Sequence, residues 1–400
     1  MESSGCDEMQ EIVIVGGGLC GLATALALHR KGVKSVVLEK SETLRSAGAA
    51  IGVLPNGWKA LDQLGVASHL RTTALPLQGM RITWMDKGNE KFTPYKVLLK
   101  YRNIGEVRCL KRSDIVETFA DALPPKTIRF GCDIVSVEMD PITSLPSLLL
   151  SNGKRIGAKV LIGCDGWRSI VASFLGLKPA KTFRTCAIRG LTSYPNSHSF
   201  PFEFVRLIVG RTAVGRLPIT DKLVHWFVAV QQGTDAKFPQ DTQVIKQRAM
   251  GAVSGHPADV QEMIEKCDLD SLSFAHLKYR APWDLMFGNF REKTVTVAGD
   301  AMHVMGPFLG QGGSSGIEDA VVLGRNLAKT INGSCFDHEE ALDQYIKERK
   351  MRVVKLATQS YLTALLIENR PIITKIFVVT VMAIFFRNPS AHTQYDCGLL

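Results

Sequence analysis

Nine cysteines occur in this chain, yet no CxxC pair, and their number is odd. That argues against a disulfide framework or a cysteine-based zinc site and for a reducing compartment. Basic residues outnumber acidic ones by 48 to 38, but no run interleaves Lys and Arg with aromatics, so nucleic acid is not an expected partner. The uncharged run Ile376–Phe386 is too short to span a bilayer. No internal repeat and no low-complexity tract stands out. The few residues before the first apolar run, among them Glu2, Asp7 and Glu8, leave no room for a leader, so a cytoplasmic location is expected.

What is present is an α/β pattern with a hydrophobic share of 46%, enough for a sizeable core. Ile12–Val15 is a continuous β-branched run, which reads as a buried parallel strand. Residues 21–30 then carry Leu22, Ala25, Leu26 and His29 at helical spacing, and residues 35–39 form a second strand. Between strand and helix, Gly16, Gly18 and Gly21 fit GxGxxG. The first glycine permits a tight turn, the second lets a pyrophosphate approach the backbone, and the third lets helix and strand pack closely. Glu39 ends the second strand, where a carboxylate accepts hydrogen bonds from ribose hydroxyls and repels a 2′-phosphate. These features predict a bound adenine dinucleotide, without separating FAD from NAD.

Two further glycine-bearing stretches resolve that choice. One is Val160-Leu161-Ile162-Gly163-Cys164-Asp165-Gly166; the other runs from Val295 through Gly299-Asp300-Ala301 to Gly310-Gln311-Gly312-Gly313. In this order the three signatures resemble those of the class A flavoprotein monooxygenases, the group typified by p-hydroxybenzoate hydroxylase. Within it the chain is similar to plant monooxygenases related to salicylate hydroxylase, 3-hydroxybenzoate 6-hydroxylase and zeaxanthin epoxidase. The resemblance covers roughly residues 11–350. It implies a Rossmann-like FAD-binding domain with a parallel sheet, an inserted antiparallel substrate lobe and C-terminal helices. The expected division is 1–74, 107–180 and 285–340 for the FAD domain, 75–106 and 181–284 for the lobe, and 341–400 for the helical region.

The resemblance also implies chemistry. NAD(P)H reduces FAD, O₂ adds to give a flavin C4a-hydroperoxide, and one oxygen atom passes to a small aromatic or unsaturated substrate by hydroxylation or epoxidation. By the same resemblance Asp300 bonds the ribityl chain, Gly312 and Gly313 offer amides to the flavin ring, Asp165 supports the pyrophosphate and NAD(P)H use, and Arg45 and Arg112 contact FAD. Ser314 stands where relatives carry asparagine. His303 is expected to support the flavin loop, and no metal is expected. Two other readings stay open: a flavin oxidase or reductase without oxygen insertion, and a non-catalytic carrier on the same fold. A flavin halogenase is disfavoured because the paired-tryptophan WxWxIP motif is missing.

The substrate should lie between flavin and lobe. Strand 223–230 puts His225, Phe227 and Ala229 on one face and Val224, Trp226 and Val228 on the other. His225 is the candidate hydrogen-bond partner or base for a substrate hydroxyl, and Arg189 and Arg211 are candidate carboxylate anchors. For the apolar tail the favoured reading is a core helix packed on the FAD domain. The alternative is a weak membrane-surface contact through residues 371–387, which Lys375 and Arg387 would assist.

Overall fold

A strand that is apolar on both faces needs cover on both. In the structure, a computed structural model describing residues 6–44, 50–94, 106–231, 239–329, 337–368 and 370–400, strand β1 (Glu8–Val15) has it. It lies in parallel between β2 (Val36–Leu38) and β10 (Arg155–Gly163). β10 continues to β17 (Val295–Val297), and β2 to β7 (Ile128–Arg129), again in parallel. Antiparallel β8 (Ile134–Met139), β9 (Pro146–Leu150) and β16 (Arg291–Glu292) complete an eight-stranded sheet. Helices α1 (Leu19–Arg30) and α9 (Gly312–Ala328) pack together within its core. They approach closely because Gly324 faces Ala27, where an added Cβ would lie 2.6 Å from that of the alanine. Helix α2 (Pro55–Gln63) packs on α9, and helix α3 (Arg112–Asp121) follows β6 (Arg108–Lys111), which pairs with β3 (Ala50–Val53).

The second sheet has the order β15-β11-β14-β13-β12-β4-β5. Its strands are β4 (Gly79–Trp84), β5 (Asn89–Pro94), β11 (Lys181–Ser193), β12 (Glu203–Val209), β13 (Thr212–Pro218), β14 (Leu223–Gln231) and β15 (Ser273–Tyr279). The period-2 alternation expected for β14 sets its two faces. Ile188, Val214, Val224, Trp226 and Val228 are buried in one cluster with residues of helices α5 (Thr242–Ala252) and α6 (Ala258–Glu265). On the opposite face, Leu191 and Leu217 pack against the core of the large sheet. The second sheet therefore presents one face to the body built on the large sheet.

Short helices α4 (Ile170–Phe174), α7 (Pro282–Phe287) and α8 (Asp300–His303) precede the long C-terminal α10 (His338–Ile367) and α11 (Ile372–Phe385). The favoured reading of the tail as a core helix is overturned. Only Val378 of α11 is buried, while Ile373 is 77% and Phe377 65% exposed. The inward face of α10 already carries Tyr345, Val353 and Ala357 into the main core, and α11 meets α10 from outside. Among the described residues no helix is long and apolar enough to cross a membrane.

Candidate active site

The three glycine-bearing stretches meet because their strands are in register. Val15 lies beside Leu38 and Gly163, and Gly163 lies beside Val297. The residues that follow, Gly16, Glu39, Cys164 and Ala298, therefore line one edge of the sheet. It is the carboxyl edge, where open α/β sheets bind ligands. A groove of about 710 Å³ opens at the other end of these strands, lined by surface groups such as His29, Lys34 and Lys126. It contains none of the glycine turns. At Gly16 the backbone has φ +103°, and a side chain would meet the Cys164 carbonyl oxygen at 2.6 Å. A Cβ on Gly21 would overlap the Gly16 carbonyl oxygen. Turn, helix and the Asp165 stretch thus interlock with no room for larger residues.

Beside this lock is a cradle. A Cβ on Gly18 would have only Arg112 Nη2 for company, at 4.0 Å. Arg112 opens α3 and makes no hydrogen bond or ion pair among the described residues. An unpaired guanidinium above the first-turn amides of α1 is a donor set suited to a pyrophosphate. Glu39 accepts the Gly17 amide at 2.7 Å and the Ser41 amide at 2.9 Å. Asp165 Oδ2 accepts the Ile170 amide at 2.7 Å, while Oδ1 is buried with no partner among the described residues. Burial pushes this carboxyl above the usual range, opposed by hydrogen bonds from Ser169 and Ile170. Arg45 lies outside the described residues. Because Arg112 supports nothing else in the fold, Arg112→Met should leave thermal stability unchanged and weaken FAD binding about 10- to 100-fold. Titrating apoprotein with FAD and following flavin fluorescence would check it.

The third stretch is held from behind. Gly299 turns at φ +60°, and its amide donates to Asp319 Oδ2 at 2.9 Å. The same oxygen lies 2.6 Å from His303 Nε2, and Asp319 Oδ1 accepts from Arg349 Nε at 2.7 Å. Arg349 also pairs with Glu318 at 2.7 Å, and all of these side chains are fully buried. Asn56 ties Glu318 to Gln311 of the flavin loop, at 2.6 and 2.8 Å. Asp300 stands in front of this network with its carboxyl open to solvent on one side. The surrounding protein pushes its pKa up, opposed by His303 and Arg112. Gly312 and Gly313 are the first residues of α9, and a Cβ on Gly312 would meet nothing within 4 Å. That open helix N-terminus suits the electron-rich edge of a flat ring. Ser314 does not face it: its Oγ is buried against Gly57 of α2 without a partner among the described residues.

On the lobe, one row of residues crosses four strands. Arg189 pairs with Phe227, Phe227 with Gly215, and Gly215 with Arg206. Gly215 has no side chain, and the Phe227 ring occupies the place where one would stand. The row is therefore an aromatic platform between two arginines. Neither arginine has a carboxylate partner among the described residues. Burial lowers the pKa of both, and for Arg189 the Arg112 charge adds to the effect. His225, buried one pair along, has Nδ1 3.1 Å from the Gly190 carbonyl. A carbonyl only accepts, so Nδ1 carries the proton and Nε2 is an acceptor. Burial drives His225 down to about 4, opposed by the Gly190 hydrogen bond and reinforced by Arg189. Arg211 is not part of this face, because it lies exposed at the β12–β13 turn. Arg206, not singled out from the sequence, takes its place; it was legible as the polar member of Phe204-Val205-Arg206-Leu207. Among the described residues no group of three His, Cys, Asp or Glu is placed to hold a metal ion.

Three signatures on one carboxyl edge, a phosphate cradle, an open helix N-terminus and a facing antiparallel sheet are the features of a flavoprotein. The chain belongs to the FAD-dependent monooxygenase family whose profile, described as "FAD binding domain", matches residues 9–360. Monooxygenase 1 of Arabidopsis thaliana is 46% identical over 97% of this chain and 99% of its own length. Monooxygenase 2 of the same plant is 35% identical over 98% of both. The structure of Klebsiella pneumoniae HpxO complexed with FAD and uric acid superposes with a TM-score of 0.82 at 21% identity, covering 98% of each chain. The protein is thus an FAD-dependent monooxygenase.

Proposed function

We propose that this monooxygenase uses NAD(P)H and O₂ to hydroxylate a small aromatic compound carrying an acidic group. The observation that carries the reading is the row Arg189–Phe227–Gly215–Arg206, with its two arginines free of carboxylate partners among the described residues. Phe227 offers a face for ring stacking, and a guanidinium holds a carboxylate or enolate in two-pronged fashion. Burial removes competing water and strengthens each such contact. The uric acid in the HpxO complex, an acidic planar ring, is in keeping with this choice.

Bound FAD supplies the oxygen-activating chemistry; the residues named here bind, orient and exclude water. His225, at about 4, is too weak to take a proton outright from a phenol of pKa about 10. Its Nε2 instead accepts the substrate hydroxyl's hydrogen bond, which enriches that oxygen in electron density and favours its release into the ring. The role narrows from general base to orienting acceptor.

The test is a panel of hydroxybenzoates set against their carboxamides, with NADPH and NADH oxidation, peroxide release and oxygen incorporation measured together. Coupled turnover should favour the acids. Arg189→Met should raise KM for an acid about 10- to 100-fold and leave the amide unchanged. Equal turnover of acid and amide by wild type would refute the acidic-substrate reading. Oxygen incorporation into neither, with peroxide as the sole product, would refute hydroxylation of this class.

A further inference from the structure

We infer that α11 is a docking helix that lies flat on an anionic membrane surface. It is 14 residues long, or roughly 21 Å, against a hydrocarbon core of about 30 Å. It therefore has the length to lie along a bilayer and not to cross one. Ile372, Ile373, Ile376, Phe377, Ile384 and Phe385 are all exposed, each by more than half. Exposed apolar surface of this kind marks an interaction site. The helix packs on α10, and Val378 is its buried residue.

Charge selects the occupant. Lys375 and Arg387 bracket the apolar run and make no ion pair among the described residues, while Arg370 pairs with Glu368 at 2.8 Å. No Asp or Glu occurs between Glu368 and Asp396. In a symmetric dimer built on this face, the same basic groups would meet one another with no acid from the segment to offset them. Lipid headgroups supply the missing negative charge and attract basic residues held near the surface.

The root of the helix is fastened to the substrate sheet. Glu368 Oε1 accepts the Arg184 amide at 2.8 Å, and Gln231 Nε2 donates to the Ile367 carbonyl at 3.3 Å. These contacts reach β11 and β14, the strands that carry Arg189, His225 and Phe227. From the same end, Phe183 of β11 stacks edge-on against Phe308 of the flavin loop, ring centres 5.3 Å apart. A bilayer under α11 would therefore lie beside the lobe edge nearest the flavin loop.

Flotation of the purified, flavin-loaded full chain with phosphatidylcholine vesicles, with and without phosphatidylserine, tests the assignment. Wild type should float with the anionic vesicles and lose binding as salt rises. The double variant Ile373→Glu/Phe377→Glu alters only exposed side chains, so flavin absorbance, melting temperature and NADPH oxidation should stay at wild-type values. Its partition into the anionic vesicles should fall at least tenfold. The assignment is overturned if wild type floats with neither vesicle. It is equally overturned if wild type is a dimer that the double variant dissolves and neither protein floats, because the face then covers a second copy.

Discussion

Replacing Asp319 with alanine is expected to strip FAD from the protein and to cost about 3–5 kcal/mol of stability. The carboxylate sits fully buried between the Gly299 amide, His303 Nε2 and Arg349 Nε. Burial alone would raise its pKa, but His303, Arg349 and the Gly299 amide outweigh that and hold it well below the usual range. Alanine leaves these donors without an acceptor and leaves Glu318 alone beside the Arg349 charge. Glu318 is also shared with Arg352, so the buried arginine keeps only part of its counter-charge, and breaking such a network costs several kcal/mol of the roughly 5–15 kcal/mol that holds a domain together. The local effect is as important as the global one. Gly299 begins the turn that presents Asp300, and its positive φ is sustained by the bond to Asp319. Asparagine would help little, because its amide would oppose a donor where the carboxylate accepts at both oxygens. The expected result is a colourless protein with a melting temperature lower by on the order of 10 °C. A variant that purified fully yellow with wild-type melting would show that Asp300 is held by something else.

This network is held by tertiary pairing that local sequence pattern does not reveal. Glycines betray their positions, since Gly16 and Gly21 are confined by backbone contacts that any chain closing this turn must make. The same is true of strand alternation: Val224, Trp226 and Val228 are buried as a set, with His225 and Phe227 on the other face. Asp319 gave a weaker sign, an acidic pair inside the apolar run Gly316–Gly324, whose partner Arg349 is thirty residues away on another helix. Such pairing is tertiary and leaves no local period. β15 was missed for a related reason: its buried Phe274 and Leu277 are three residues apart, and its pairing with β11 shifts register. Arg211 and Arg206 show the limit at single residues. Both flank the same hairpin, and only the pairing of Arg206 with Gly215 sets it on the cleft face. The C-terminal run misled because apolar content alone does not say whether protein covers it.

Acid should weaken the fold well before its carboxylates titrate. His225 and His392 each have an ordinary pKa of 6.5 and are driven down to about 4 in the fold, in both cases chiefly by burial. Below pH 6.5 the unfolded chain takes up a proton at each site and the native chain does not. Stability is therefore complete above pH 6.5 and is lost as pH falls towards 4, where the native imidazoles protonate too. A gap of about 2.5 units limits the loss to about 3 kcal/mol per histidine, of which about 2 kcal/mol is gone by pH 5. Glu8, held at about 2 mainly by its bond to Arg129, acts only below its ordinary 4.5. Asp165, raised by burial, works in the opposite sense, since its protonation favours the native state as pH falls. Urea unfolding at pH 7.5 and pH 5 should show the histidine loss, and His225→Gln with His392→Gln should flatten it. An unchanged slope in that double variant would mean the two imidazoles are not held neutral. The same neutrality governs turnover. If His225 accepts a substrate hydroxyl through Nε2, kcat/KM should show no inflection near pH 6.5, because burial and Arg189 have moved that ionisation out of the working range.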